Sequence, residues 1–186
     1  MQTIFKMQHL PPDYKEQTFI NLSRLDLPDL PDNLFDETWA VTKLDLSFNQ
    51  LTQLPSSIEK LQNLRELWVN NNNLISLPTN LGLLPLLTRL EVNHNILVEL
   101  CEFGPNGFFN ILNASDNKLT SIPDSIGNLI NLSILNLKSN NLTELPETIK
   151  NLKGLQVADF TANNFDNREI IVNLRSNYPY INEYWF

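Results

Sequence analysis

The chain has 186 residues, enough for one domain with its own core and short for two. Hydrophobic residues make up 42% and charged residues 18%, a globular balance that argues against a disordered or fibrous chain. The formal net charge of −8, with no cluster of Lys or Arg, disfavours phosphate backbones and anionic lipid, so neither nucleic acid nor a membrane is expected as a partner.

A single cysteine, Cys101, excludes an internal disulfide and points to a reducing, cytoplasmic compartment. The N-terminus has no basic start followed by an apolar run, so a signal for general secretion is not expected. No uninterrupted apolar stretch is long enough to span a bilayer.

Residues 1–19 lack any repeat and, with Leu10, Pro11 and Pro12, read as a short N-terminal cap. A repeat then begins at Ile20 with INLSRLDLPDLP. It continues as LDLSFNQLTQLP from Leu44, LWVNNNNLISLP from Leu67, LEVNHNILVELC from Leu90, LNASDNKLTSIP from Leu112, LNLKSNNLTELP from Leu135 and ADFTANNFDN from Ala158. Asn49, Asn72, Asn95, Asn117, Asn140 and Asn163 advance by 23, 23, 22, 23 and 23 residues, and Leu25 stands where the first copy should have its asparagine.

The physics of one copy accounts for its letters. Alternating apolar residues such as Leu44 and Leu46 point one way along a short strand, and Asp45 between them points the other way. Such a strand cannot stand alone, so copies stack as a parallel sheet over a shared core. The chain then bends, and a buried asparagine, which both donates and accepts, satisfies the backbone groups the bend leaves open. Leu51, Leu54, Ile58, Leu61 and Leu64 have the spacing of a short helical or 3₁₀ return path. Pro55, Pro78, Pro123 and Pro146 suit its opening.

The copy between Asn95 and Asn117 departs from the rule over residues 96–111. Cys101 replaces the proline, Gly104–Gly107 favour a tight turn, and Phe103, Phe108 and Phe109 are expected to fill the volume of missing leucines. At the C-terminal end, Asp166 and Glu169 have the form of a capping box, so a helix is expected that stops before Pro179. The tail from Tyr178 to Phe186 then covers the last repeat with aromatic rings; an exposed docking tail is the alternative. The expected organisation is one domain, 1–186: a cap (1–19), seven repeats (20–165), and a C-terminal helix with an aromatic cap (166–186).

The pattern resembles the leucine-rich-repeat family, in the intracellular subclass typified by Ras-suppressor-type proteins. The resemblance covers about residues 20–165 and implies an α/β solenoid, with a curved parallel sheet on the concave face and short helical or 3₁₀ segments on the convex side. It implies binding of another protein, not catalysis. A free-standing solenoid rich in asparagine and isoleucine also resembles effectors that bacteria such as Legionella deliver into host cytoplasm. The alternative is a regulatory or targeting subunit of a phosphatase or ubiquitin-ligase complex.

The strand pattern assigns the outward-facing side chains to columns, and two features there are not needed for a fold. Trp68 and Phe48 are large aromatics on adjacent strands, where Asn or Ser would be easier to expose, so they are candidate interface anchors. Around them lie Asp45, Asn70, Arg89, Glu91, Asn93, His94 and Asp116 as candidate polar contacts, with His94 and Asp116 close enough to pair across strands. The acidic members favour a partner with a basic patch. Ile111, Ile134 and Val157 form an apolar strip, either a second contact patch or a surface under the preceding turns. Catalysis is not expected: Ser115 and His94 lie in different columns, with no oxyanion-donor pattern. Two histidines and one cysteine are too few for a structural metal site. No cofactor and no metal are expected, and the protein should be a monomer.

Overall fold

The computed structural model describes residues 6–165 and 183–185. Eight three-residue strands form one parallel sheet in chain order. They are β1 (Phe19–Asn21), β2 (Lys43–Asp45), β3 (Glu66–Trp68), β4 (Arg89–Glu91), β5 (Ile111–Asn113), β6 (Ile134–Asn136), β7 (Val157–Asp159) and β8 (Glu183–Trp185). Register is strict: Leu44 pairs with Leu67, Leu67 with Leu90, and Leu90 with Leu112. The middle residues of β1–β7, from Ile20 to Ala158, are all fully buried, so one face of each of these seven strands is core. Sequential parallel strands demand a crossover after each, and here the crossovers run along the convex side.

Four of those crossovers carry a 3₁₀ turn, at Ser56–Lys60, Leu81–Leu83, Asp124–Asn128 and Glu147–Asn151. Pro55, Pro123 and Pro146 open three of them with φ near −65°, the value that the proline ring imposes. A full α-helix would lengthen the convex side. The 23-residue repeat has room only for the tighter turn.

An asparagine ladder closes each bend. Asn72 donates to the carbonyls of Leu46 and Val69, both at 3.0 Å, and accepts from the Leu51 N–H at 3.0 Å. Asn95, Asn117, Asn140 and Asn163 repeat the arrangement one rung on each time. Where Leu25 replaces the first asparagine, Asn49 accepts from two N–H groups, those of Leu25 and Leu27. The Leu27 bond is the one that the other rungs also make, two residues past the ladder position, and the Leu25 bond is additional.

At the N-terminal end, Leu10 is buried and Tyr14 packs on Trp39, ring centroids 4.8 Å apart. Trp39 meets Phe35 edge-on at 5.0 Å. The irregular segment contains no 3₁₀ turn of its own. Asn106 is buried and takes over, donating to the carbonyls of Leu84 and Leu87 and accepting from the Phe108 N–H. Phe103 and Phe109 fill core volume and meet edge-on at 5.7 Å. Phe108 does not: it is 60% exposed, because the Asn106 turn carries position 108 outward.

At the C-terminal end the sheet gains β8, in register with β7, which the aromatic-cap expectation did not include. No LxLxxN signature marks it. The expected capping box at Asp166 and Glu169, the helix behind it, and Tyr180 lie outside the described residues.

Candidate partner-binding face

The concave face is made by the two outer residues of each strand and the bend that follows. In every bend of β1–β7 the residue just before the asparagine position has a left-handed backbone: Arg24, Phe48, Asn71, His94, Asp116, Ser139 and Ala162, with φ between 52° and 59°. None is glycine. Asn, Asp and His tolerate this region best, whereas a bulky aromatic such as Phe48 is strained in it.

A second device recurs beside it. In β1, β2, β5, β6 and β7 the last strand residue is Asn or Asp, and its side-chain oxygen accepts the N–H two residues on, as Asp45 does from Ser47 at 2.9 Å. The Ser47 hydroxyl donates to the same carboxylate at 2.6 Å. This local turn supports the bend. It is absent from β3 and β4, where Trp68 and Glu91 take the position and Asn70 and Asn93 follow them.

The candidate residues therefore divide. Asp45 is half-buried and committed to Ser47. Asn70 and Asn93 are half-buried, and their carbonyls accept from Phe48 and Asn71. Glu91 is only 7% exposed and its carboxylate closes on Arg89 at 2.7 Å. Arg89 in turn lies 6.0 Å from the Trp68 ring, and among the described residues its buried Nε has no hydrogen-bond acceptor. His94 and Asp116 stand one rung apart with Nδ1 and Oδ2 3.7 Å from each other. Lys43 pairs with Glu66 at 2.8 Å.

Trp68 is half-buried and Phe48 is 39% exposed. The Arg24 guanidinium stacks over the Phe48 ring at 3.9 Å. Spacing alone does not mark Arg24, because the contact depends on both residues adopting left-handed backbones in consecutive bends. Ile111, Ile134 and Val157 are half-buried and in register, so the apolar strip lies on the face itself and not beneath the turns. Among the described residues no three His, Cys, Asp or Glu side chains group to hold a metal ion. No helix there is long and apolar enough to cross a membrane.

Stacked three-residue strands, an asparagine ladder and 3₁₀ returns define a leucine-rich-repeat solenoid, and sequence models of the repeat agree. One, for two copies of the leucine-rich repeat, matches residues 40–82; another, for the single repeat, matches 108–129 and 131–152. The chain thus carries leucine-rich repeats, and domains built from them are generally non-catalytic interaction modules.

Among solved structures, YopM from Yersinia enterocolitica WA-314 is similar at 36% identity and TM-score 0.65, over 79% of this chain and 29% of that one. A Shigella effector leucine-rich-repeat domain is similar at 28% identity and TM-score 0.57, over 86% of this chain and 75% of that one. The plant peptide hormone receptor RGFR1, in complex with RGF2, is similar at 27% identity and TM-score 0.64, over 75% of this chain and 23% of that one. The chain thus spans less than a third of YopM and of the receptor. No curated protein sequence matches it.

Proposed function

We propose that this chain is a non-catalytic module that binds a protein partner on its concave face, around Trp68 and Phe48. The observation that carries the reading is the exchange at β3 and β4. Five strands use that position for a turn-supporting Asn or Asp, whereas Trp68 and Glu91 give up that support at the middle of the face. A half-exposed tryptophan there serves no need of the fold, and desolvated aromatics at a patch centre carry a large share of interface energy. Arg89, His94 and Asp116 form the polar surround, with Asn70 and Asn93 at its edge, Asp45 as a turn support, and Glu91 as the group that holds Arg89.

The chain acts as one unit, residues 1–186, and as a monomer. Similarity to a Shigella effector domain supports delivery into a host cytoplasm, where the partner would be a host protein. Affinity capture from a eukaryotic lysate tests the reading. Wild type should retain a specific protein that Trp68→Ala combined with Phe48→Ala loses at least tenfold, with unfolding midpoints matched. Equal capture by both would sink the concave-face assignment. A catalytic subunit in the wild-type eluate would redirect it to a phosphatase or ligase complex.

A further inference from the structure

On the concave face two carboxylates are paired with cations and a third is held in a local turn. Lys43 holds Glu66, Arg89 holds Glu91, His94 faces Asp116, and the Ser47 hydroxyl and N–H occupy Asp45. A partner's basic patch would have to compete with a resident cation for Glu66 and Glu91. Arg24 is the opposite case. It is exposed, and among the described residues its guanidinium meets no carboxylate, only the face of the Phe48 ring at 3.9 Å.

A guanidinium held 3.9 Å over a ring uses none of its N–H donors in that contact, and they remain for a carboxylate, which a guanidinium can grip with two parallel bonds. The pair is also held at a cost. Arg24 and Phe48 both have left-handed backbones, with φ 59° and 56°, and Phe48 adds an exposed aromatic ring in a conformation where bulky side chains are strained. Asparagine at position 48 would relieve both penalties, as it does one rung on at Asn71. The Phe48 N–H bonds the Asn70 carbonyl, and Asp45 pairs with Trp68, so Phe48 and Trp68 stand on neighbouring rungs.

We infer that the Arg24–Phe48 pair is a carboxylate-recognition subsite, and that the partner docks a segment carrying an acidic side chain beside an apolar one, the acid on Arg24 and the apolar group toward Phe48 and Trp68. This deepens the concave-face reading and rests on it. It reverses the charge preference that the acidic column suggests, because free charge, not total charge, selects a partner.

The probe is a random peptide library displayed on phage, panned against the full chain and against Arg24→Gln and Trp68→Ala. Wild type should enrich peptides with Asp or Glu within two or three residues of an aromatic or aliphatic side chain. Arg24→Gln should keep the apolar enrichment and lose the acidic one. For a selected synthetic peptide, replacing its acid by the amide and replacing Arg24 by Gln should each weaken binding about tenfold, and together no more than either alone.

Acidic enrichment that survives Arg24→Gln, additive losses in that cycle, or enrichment of basic peptides would overturn the subsite. If Trp68→Ala abolishes binding under those outcomes, the concave-face reading stands without it. Failure to enrich any peptide overturns the subsite as a reader of docking segments and leaves the lysate capture to decide the face.

Discussion

Phe48 is the residue where folding and binding pull apart. Left-handed backbone is unfavourable for an L-residue by about 1–2 kcal/mol, less for Asn, whereas the Arg24 stack returns about 0.5–1 kcal/mol. Phe48→Asn should therefore leave stability unchanged or raise it by up to about 1 kcal/mol while weakening partner or peptide binding. Denaturant unfolding and a binding isotherm on the same sample check both, and a clear loss of stability would show that the ring packs for the fold.

Cys101 behaves in the opposite sense, as a residue wholly of the core. Loss of water around its sulfur pushes the thiol up to about 11. In the folded chain at pH 8, alkylation should run at least about a hundredfold slower than in denaturant, the ratio of thiolate fractions alone. The unfolded thiol titrates first, so above roughly pH 9 the unfolded state binds fewer protons than the folded one. Stability from this group is thus fully present below pH 9 and declines toward pH 11. Comparison with Cys101→Ala across that window isolates it: the difference between the two proteins should drift against wild type as pH rises.

At the scale of elements, the strands and bends were legible because their requirements are local and repeat. LxLxxN specifies a buried row, an outward row and a hydrogen-bonding side chain at fixed offsets, and β2 to β7 fall on those positions. Asn95→Ala should cost about 3 kcal/mol in denaturant unfolding, since it leaves the Leu74 N–H and two carbonyls without their partner.

The irregular segment was legible only as a departure. Its solution is non-local: a Cβ on Gly82 would lie 2.2 Å from the Glu102 carbonyl oxygen, and the Gly104 N–H bonds the Gly82 carbonyl at 3.1 Å. The glycine that admits the missing turn thus sits in the preceding repeat, where spacing gives no hint of it. Gly82→Ala should destabilise by about 2–3 kcal/mol by forcing the two backbones apart, measured in the same unfolding assay. β8 was illegible for a simpler reason: it has strand pairing without the asparagine or the leucines that announce a repeat. On the candidate face, Trp68 and Phe48 stood out as residue types. Whether a nearby charge was free or already paired depended on rotamers and cross-strand distances, which is why Glu91 and Asp45 read as exposed contacts and Arg24 passed unmarked.

For the whole molecule, almost every contact is made between adjacent rungs, so stability sums along one dimension. Hydrogen exchange should show the slowest amides at Leu67, Leu90 and Leu112, which have several rungs on both sides, and faster exchange toward β1. Uniform protection from Ile20 to Ala158 would indicate a single cooperative unit with no fraying.

The asparagine ladder also gives the molecule a direction in time. Each ladder residue serves the bend before its own: Asn72 completes the turn at Leu51, Asn95 the turn at Leu74, and Asn117 the turn at Leu97. A chain emerging from the ribosome therefore always has its newest turn incomplete, with open donors and acceptors that only the following repeat can close. Order in such a solenoid trails synthesis by one repeat, and each asparagine that arrives acts as a latch on what was made before it.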